Sequence, residues 1–134
     1  MSSDNKQIIH RYYEDLWNRW SLNLAGEIIA DNITFRGSLA VTVTTRAGFL
    51  EYMQLVRTAF PDFHNTIEDL IAEGDKVAAR LTYRGTHKGP LFDLAPTNRP
   101  ITYTGLALFT LQNGQITEGF VMGDTTTLMK QLKT

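Results

Sequence analysis

The amino-acid sequence predicts an α+β domain in which helices pack on one face of a curved antiparallel sheet. Apolar residues recur at helical spacing as far as Pro61 and alternate with a period of two beyond it. The dipeptide Asn113-Gly114 lies between two alternating runs and is the strongest short hairpin signal in the chain. The 134 residues contain no repeat or long linker, so a single domain, residues 1–134, is expected. Helices followed by antiparallel strands are the α+β arrangement.

The N-terminal part is predicted to form three helices. Residues 4–20 place apolar and aromatic side chains at helical spacing, with charged residues between them. Ser21 is expected to cap a second, shorter helix, and Thr45 to cap a third helix that ends at Pro61. The apolar face of the first helix consists of Ile9, Tyr12, Tyr13, Leu16, Trp17 and Trp20.

The predicted strands lie mainly in the second half of the chain. Residues 33–45 are rich in β-branched side chains and are expected to form one or two short strands around Gly37. Residues 63–89 read as two strands joined by a turn at 73–76, and a loop rich in Pro and Gly follows. The last two strands flank the Asn-Gly hairpin, and a short helical pattern closes the chain after Asp124.

The composition excludes several classes of protein. A formal charge of -1 argues against a nucleic-acid surface, which needs an excess of basic residues. Cysteine is absent, which excludes disulfides and thiolate chemistry, and His10, His64 and His87 have no metal-ligand spacing. The first twenty residues are charged throughout, and no apolar run is long enough to span a membrane. A soluble cytoplasmic protein without a metal is expected.

Several local strings resemble the SnoaL-like polyketide cyclase family of the NTF2-like superfamily. They are FPD at 60–62, EGD at 73–75, GTH at 85–87, PTNRPITYTG at 96–105 and the ending DTTTLMKQL at 124–132. The resemblance covers roughly residues 5 to 132, and the combination of strings carries it. It implies an NTF2-like cone, a bent sheet wrapped by three helices around an apolar cavity, usually as a homodimer.

For the best-known members, the resemblance implies closure of the last ring of an aromatic polyketide by an intramolecular aldol condensation without a cofactor. A carboxylate removes an acidic proton next to an ester carbonyl, the enolate attacks a nearby ketone, and the same group can return the proton. The family's aspartate falls on Asp124, so the resemblance makes Asp124 the acid/base. The family's acidic residue two positions before an aromatic falls on Glu118, with Phe120 as the aromatic.

Two environments for Asp124 predict opposite shifts of its pKa. Strand alternation puts Glu118, Phe120 and Met122 on the same face as Asp124, and these three residues are expected to line the cavity and contact the substrate. If that face lines the cavity, an apolar setting raises the pKa of Asp124 toward a value useful for proton transfer. If Asp124 instead caps the helix that begins after it, backbone N–H groups stabilise the carboxylate and lower the pKa.

Four further residues are candidates for contact with a substrate. The resemblance puts His87 at the rim of the pocket, although a lone loop histidine is more often a structural hydrogen-bonding group. Most of the aromatic stripe, Trp17 included, is expected to pack in the core, with the Tyr13 hydroxyl turned into the cavity to polarise a carbonyl. Tyr103, on a strand with Gly105, is a comparable candidate.

Three functional hypotheses remain open from the sequence. The first is a small-molecule cyclase or isomerase that uses Asp124, and the second is a protein that only binds a small hydrophobic ligand. The third is an interaction surface on the sheet, because polar Arg80, Thr82 and Arg84 alternate with apolar neighbours and suit a dimer interface. Gly37 occupies the position near which related ketosteroid isomerases carry a base aspartate, so that chemistry is not expected.

Overall fold

The computed structural model describes residues 2–133. The elements, in chain order, are α1 (Ser2–Arg11), a π-helical segment (Tyr12–Asn18), a 3₁₀ turn (Leu22–Leu24), α2 (Ala25–Ile28), β1 (Ile29–Arg36), β2 (Thr42–Val43), α3 (Arg46–Ala59), β3 (His64–Glu73), β4 (Lys76–Thr86), β5 (Pro100–Gln112), β6 (Gln115–Gly123) and α4 (Thr125–Lys133).

The six strands form one curved sheet in the order β2-β1-β6-β5-β4-β3. All neighbouring pairs are antiparallel except β1 and β6, which run parallel. The predicted α+β class is confirmed, and the sheet differs from the prediction in being mixed. A parallel pair requires a long connection, which the chain between β1 and β6 supplies with α3 and four strands.

Local signals account for several of the observed boundaries. The Thr45 side chain accepts a hydrogen bond from the Gly48 N–H at 2.9 Å, as expected for the cap of α3. Asn113 and Gly114 both have positive φ, 53° and 79°, which is the backbone of a type I′ hairpin turn. Ser21 makes no capping hydrogen bond, and the second helix is shorter than predicted because Ile29 already belongs to β1.

The π-helical segment is the main departure from the predicted first helix. Its turns are wider than those of an α-helix, and such segments are often found at functional sites. The segment buries Tyr12, Tyr13, Leu16 and Trp17. It therefore directs three large aromatic side chains toward the inner face of the sheet.

The two faces of the sheet have different surroundings. The helices cover the inner face, and the large fully buried side chains there include Phe35, Phe49, Phe60 and Phe109. The outer face of β3 to β6 carries exposed apolar side chains, namely Ile71, Leu106, Leu108, Phe120 and Met122. Among the helices within residues 2–133, none combines the length and the apolar character that crossing a membrane requires.

Candidate functional site

A cavity of about 20 Å³ lies between the helices and the inner face of the sheet. This is the space of roughly one water molecule, whereas ligand pockets usually measure about 300 to 1,000 Å³. The cone therefore exists as predicted, but its interior is filled by side chains of the protein itself. The polar residues of the lining are Tyr12, Tyr13, Ser38, Tyr52, Asn65 and Tyr83, and the apolar ones are Trp17, Phe35, Val56, Phe63 and Val121.

All five tyrosines of the chain are buried in or beside this cavity. Burial is the main cause that raises the pKa of each phenol above its ordinary value. The hydroxyl groups are therefore neutral and can donate hydrogen bonds. Within the described part of the chain, no carboxylate and no histidine lines the cavity. The lining can stabilise a negatively charged oxygen but contains no obvious base.

Two of the five phenol groups have a polar partner at hydrogen-bond distance. The Tyr103 hydroxyl lies 2.9 Å from the Ser38 Oγ, and the Tyr52 hydroxyl accepts a hydrogen bond from the Leu39 N–H at 3.3 Å. These contacts hold the hydroxyl groups of Tyr103 and Tyr52 in place.

Two glycines make room for tyrosine rings inside the cone. A Cβ added at Gly37 would lie 2.2 Å from the Tyr52 hydroxyl oxygen, and one added at Gly105 would lie 2.8 Å from that of Tyr83. Both distances are far below van der Waals contact, so the rings occupy space that any other residue at these positions would fill. The rings of Tyr52 and Tyr83 thus fill the space that side chains at Gly37 and Gly105 would otherwise occupy.

Asn18 and Asn65 connect the π-helical segment to β3 at the cavity. The Asn18 side chain donates to the Asn65 carbonyl at 2.9 Å and accepts from the Asn65 N–H at 2.8 Å. The Asn65 amide also donates to the Asn18 Oδ1 at 3.1 Å. This reciprocal pair holds the aromatic residues of the segment against the sheet.

Asp124 caps α4 and is exposed to solvent. Its carboxylate accepts the Thr127 N–H at 3.1 Å and the Thr127 hydroxyl at 2.6 Å. The hydrogen bond from the Thr127 hydroxyl is the main cause that lowers the pKa of Asp124, and the bond from the Thr127 N–H lowers it further. This is the direction expected for a capping carboxylate. Asp124 does not line the cavity. The catalytic role of this residue therefore remains a prediction, without the apolar setting on which it depended.

Three alternate residues of β6, Glu118, Phe120 and Met122, lie on the outer face of the sheet. Phe120 and Met122 are 51% and 56% exposed, and Glu118 is also exposed, whereas Val121 points inward to the cavity. The expectation that Glu118, Phe120 and Met122 line the cavity is wrong. The alternation was read correctly, but a period of two does not reveal which of the two faces the helices cover.

The C-terminal string that resembles the family has a structural explanation in this chain. Leu128 and Leu132 are buried in the core. The Gln131 side chain accepts the Thr102 N–H at 2.8 Å and donates to the Thr102 carbonyl at 2.7 Å. It thus pairs with the edge of β5 as a neighbouring strand would. Asp124, the two leucines and Gln131 together anchor α4 to the sheet.

His87 is fully buried and holds the loop that follows β4. The Thr97 N–H donates to its Nδ1 at 3.2 Å, and the Arg99 carbonyl accepts its backbone N–H at 2.9 Å. Burial lowers the pKa of the imidazole. The histidine does not line the cavity, which corrects the expectation of a rim position. It acts as the structural hydrogen-bonding group that the sequence also allowed.

The structure brings together some predicted residues and several that the sequence did not single out. Tyr13 and Trp17 line the cavity, and Tyr103 lies one hydrogen bond away through Ser38. Tyr52 could have been found from its helical spacing to Phe49 and Val56, and Tyr83 from its alternation with Leu81. Ser38 and Asn65 also line the cavity, near the start of a turn and of β3, and no signal in the sequence points to either residue.

We expect the cap at Asp124 to produce a pH-dependent difference in stability. Asp124→Ala should lower the Tm at neutral pH, whereas Asp124→Asn should leave it nearly unchanged because Asn is an equally good N-cap. Since the pKa of Asp124 is lowered in the fold, its stabilisation is complete above the ordinary value of 3.8 and is lost as the pH falls through the lowered value.

Thermal unfolding followed by circular dichroism, from neutral to strongly acidic pH, measures this difference. The gap in Tm between the wild type and Asp124→Ala should close at the acidic end. A gap of the same size at every pH would contradict the capping role of the ionised carboxylate.

Within residues 2–133, the structure forms no cluster of three or more histidine or acidic side chains that could hold a metal ion. The fold is an α+β cone of the NTF2-like class, with a tyrosine-lined interior and an exposed sheet face. The chain belongs to the SnoaL-like polyketide cyclase family, whose model matches residues 7–132. A search of curated proteins by sequence finds no significant match.

Solved structures support this assignment over almost the whole chain. IdmH, a candidate polyketide cyclase from Streptomyces antibioticus, is 28% identical with a TM-score of 0.84, over 97% of this chain and 99% of its own. A candidate SnoaL-like polyketide cyclase from Jannaschia sp. CCS1 has a TM-score of 0.90 at 19% identity, over 98% and 92% of the two chains. AclR, a candidate hydroxylase from Streptomyces galilaeus, has a TM-score of 0.85 at 23% identity, over 98% and 82%. The last two similarities show the fold alone.

Proposed function

We propose that the protein is a cofactor-independent cyclase or isomerase that acts on a small hydrophobic substrate inside the cone, whose lining side chains must move apart to admit it because the cavity holds only about one water molecule. The observation that carries the proposal is the cluster of neutral phenol groups around the inner cavity. Membership of a polyketide cyclase family supports the same reaction class. The substrate is a compound with an acidic proton next to a carbonyl, such as a β-keto ester with a second ketone.

The lining suits stabilisation of an enolate. As the proton leaves the carbon next to the carbonyl, negative charge develops on the carbonyl oxygen, and fixed hydroxyl donors in a dry site stabilise that charge. The enolate carbon then attacks the second ketone, and the new alkoxide takes a proton. The described lining residues include no carboxylate, so in this proposal the proton passes to water outside the lining rather than to a side chain. In this mechanism the protein supplies positioning and hydrogen bonds.

A second candidate for the proton-transfer group is Asp124, at the position of the family's aspartate. Its double hydrogen bond to Thr127 keeps the carboxylate outside the cavity and lowers its pKa, which opposes this role. We therefore propose the hydroxyl cluster as the site of the chemistry and Asp124 as a helix cap. Asp124→Asn separates the two, because it removes the ionisable group but keeps the cap.

The test measures exchange of the acidic proton and ring closure on a panel of β-keto esters. Wild-type protein should accelerate exchange in D₂O, followed by NMR, and Asp124→Asn should retain most of that rate. A loss of about a hundredfold in a stably folded Asp124→Asn variant would identify Asp124 as the acid/base instead. If the wild type accelerates neither reaction on any substrate, the enzyme proposal fails and a ligand-binding function is left.

We also propose that the protein is a homodimer that associates through the outer face of its sheet. Apolar side chains from adjacent strands stand side by side there: Ile71, Ala78, Leu108 and Phe120 form one row across the sheet, and Leu106 and Met122 begin the next. The groove between the rows measures about 430 Å³. Exposed apolar patches of this kind mark interaction sites.

The border of this face is polar, as in typical protein interfaces. Arg80 pairs with Asp69 at 2.7 Å, Thr82 donates to Glu68 at 2.7 Å, and the Lys76 ammonium lies 2.6 Å from the Thr110 hydroxyl. An apolar centre with a polar rim matches the anatomy of interfaces. Because the rim carries both signs of charge, a second copy related by a two-fold axis can be self-complementary. Arg80, Thr82 and Arg84 thus belong to the proposed dimer face.

A further inference from the structure

One wall of the inner cavity lies outside the sheet. The lining residues Phe35, Tyr83 and Val121 stand on strands that are paired with a neighbour on both sides. The π-helical segment, which supplies three aromatic side chains to the lining, is joined to β3 by hydrogen bonds of the Asn18 side chain. Moving a paired strand breaks two ladders of backbone hydrogen bonds, whereas the segment can swing outward with its own helical bonds intact. The segment is therefore the wall that opens at the lowest cost.

Residues 17–20, which we call the strap, join β3 to α3 across one end of the cone. On one side the Asn18 side chain donates to the Asn65 carbonyl at 2.9 Å and accepts from the Asn65 N–H at 2.8 Å. On the other side the Arg57 guanidinium lies over the Trp20 ring, 4.5 Å from its centre. Asn65 is the second residue of β3 and Arg57 lies in the last turn of α3, so the short connection between these elements puts both contacts at the same end. The strap thus has one fastening on each side.

The backbone of the strap is strained at Trp20. Its φ of 59° lies in the left-handed region, which is uncommon for a bulky side chain. Residues in such conformations persist only where their surroundings hold them, and they are often found in segments that switch. The Leu22 N–H donates to the Trp20 carbonyl at 3.0 Å, in a sharp turn directly after the π-helical segment. Strain in the closed strap favours its opening, and the two fastenings oppose it.

We propose that the strap is the gate of the cone: it opens to admit a small hydrophobic substrate and closes over it. This inference rests on the proposed function, because the closed cavity holds only about one water molecule. A substrate therefore needs both an entrance and added space. Outward movement of the strap provides both, since it withdraws the Trp17 ring, which lines the cavity and packs against Tyr52 and Phe63.

The test measures how fast a thiol inside the cone reacts with a small neutral reagent, methyl methanethiosulfonate. Because the chain contains no cysteine, each substitution to cysteine gives a single reporter. Val121→Cys places the thiol in the cavity lining, and Val77→Cys places a matched thiol in the core but outside that lining. Both positions are buried, and cysteine is a small apolar replacement for valine. Val121→Cys should react at least about tenfold faster, because the strap opens more often than the sheet unfolds.

Two substitutions loosen the strap, and a third is the matched control. Asn18→Ala removes an amide that bonds to both backbone groups of a strand residue, and it should speed the reaction of Val121→Cys about tenfold. Arg57→Ala removes the cation–π contact and should speed it about two- to fivefold. Gln131→Ala removes the same kind of amide bonds, here from α4 to β5, and should leave the rate at Val121→Cys unchanged.

The outcomes separate the gate from loss of folding and from the proposed function. Circular dichroism checks that each variant is folded at the labelling temperature, and Arg57→Ala tests the gate by changing only a half-buried side chain. Equal rates at the two reporters, no faster reaction of Val121→Cys in either strap variant, or an equal acceleration by Gln131→Ala would overturn the gate. No substrate enters the measurement, so an opening strap without turnover contradicts only the enzyme proposal, and turnover with a rigid strap contradicts only the gate.

Discussion

Tyr52→Ala should lower the free energy of unfolding by about 3 to 5 kcal/mol, the usual cost of removing a large buried aromatic side chain. Tyr52 is 4% exposed, and its ring packs against Trp17 and Phe35. It fills the space over Gly37, where a Cβ would approach its hydroxyl oxygen to 2.2 Å. Removal of the ring joins that space to the existing cavity.

The functional consequence of this substitution is an enlarged cone that accepts an aromatic ring. An engineered apolar cavity of about 150 Å³ binds benzene in another protein, and we expect Tyr52→Ala to be stabilised by benzene in the same way. Chemical denaturation with and without benzene measures both effects. Tyr52→Phe is the control: it keeps the ring, loses the bond from the Leu39 N–H, worth about 1 kcal/mol, and should gain no affinity. A Tyr52→Ala protein that is as stable as Tyr52→Phe and indifferent to benzene would show that Tyr52 does not limit the size of the cone.

Phe120→Asp should dissociate the proposed dimer, with at least about a hundredfold weaker association. The substitution places a carboxylate in the apolar centre of the outer face, once in each copy. The folded monomer should tolerate it, because the Arg36 guanidinium, 5.2 Å from the centre of the Phe120 ring, is close enough to pair with the new charge. Sedimentation and light scattering at micromolar concentration measure the mass.

Phe92→Asp is the matched control for this prediction. Phe92 is 56% exposed, close to the 51% of Phe120, but it lies on the loop after β4 and away from the groove. Its variant should remain dimeric. A monomeric wild type, or equal masses for both variants, would contradict the dimer face and leave the surface to a different partner or to solvent.

The local elements followed from the sequence wherever short-range chemistry decides the structure. The Thr45 cap needs only a hydroxyl three residues before the Gly48 N–H, and the hairpin at Asn113-Gly114 needs only residues that accept positive φ. The combination of strings that resembles the family spans the chain, and the family model matches residues 7–132. Fold class and family were therefore within reach of the sequence.

Tertiary structure alone decided which face of each strand is the inner one. The alternation at Phe120, Val121 and Met122 is the same whether the helices cover one face or the other, so the sequence could not exclude Val121 as the exposed residue. The choice depends on where distant helices pack, which is a long-range property of the fold. The expected cavity residues of β6 consequently lie on the outside.

The same limit applies to Asp124 and to the tyrosines. The sequence by itself determined that Asp124 stands at the end of a strand and just before a helix, and both a cap and an acid/base fit that position. Only the folded chain shows the carboxylate on Thr127, outside the cavity. It also brings Tyr13 and Tyr83, which are far apart in the chain, to the lining of one cavity. Packing of distant segments, which no local pattern encodes, therefore decided where the candidate site lies.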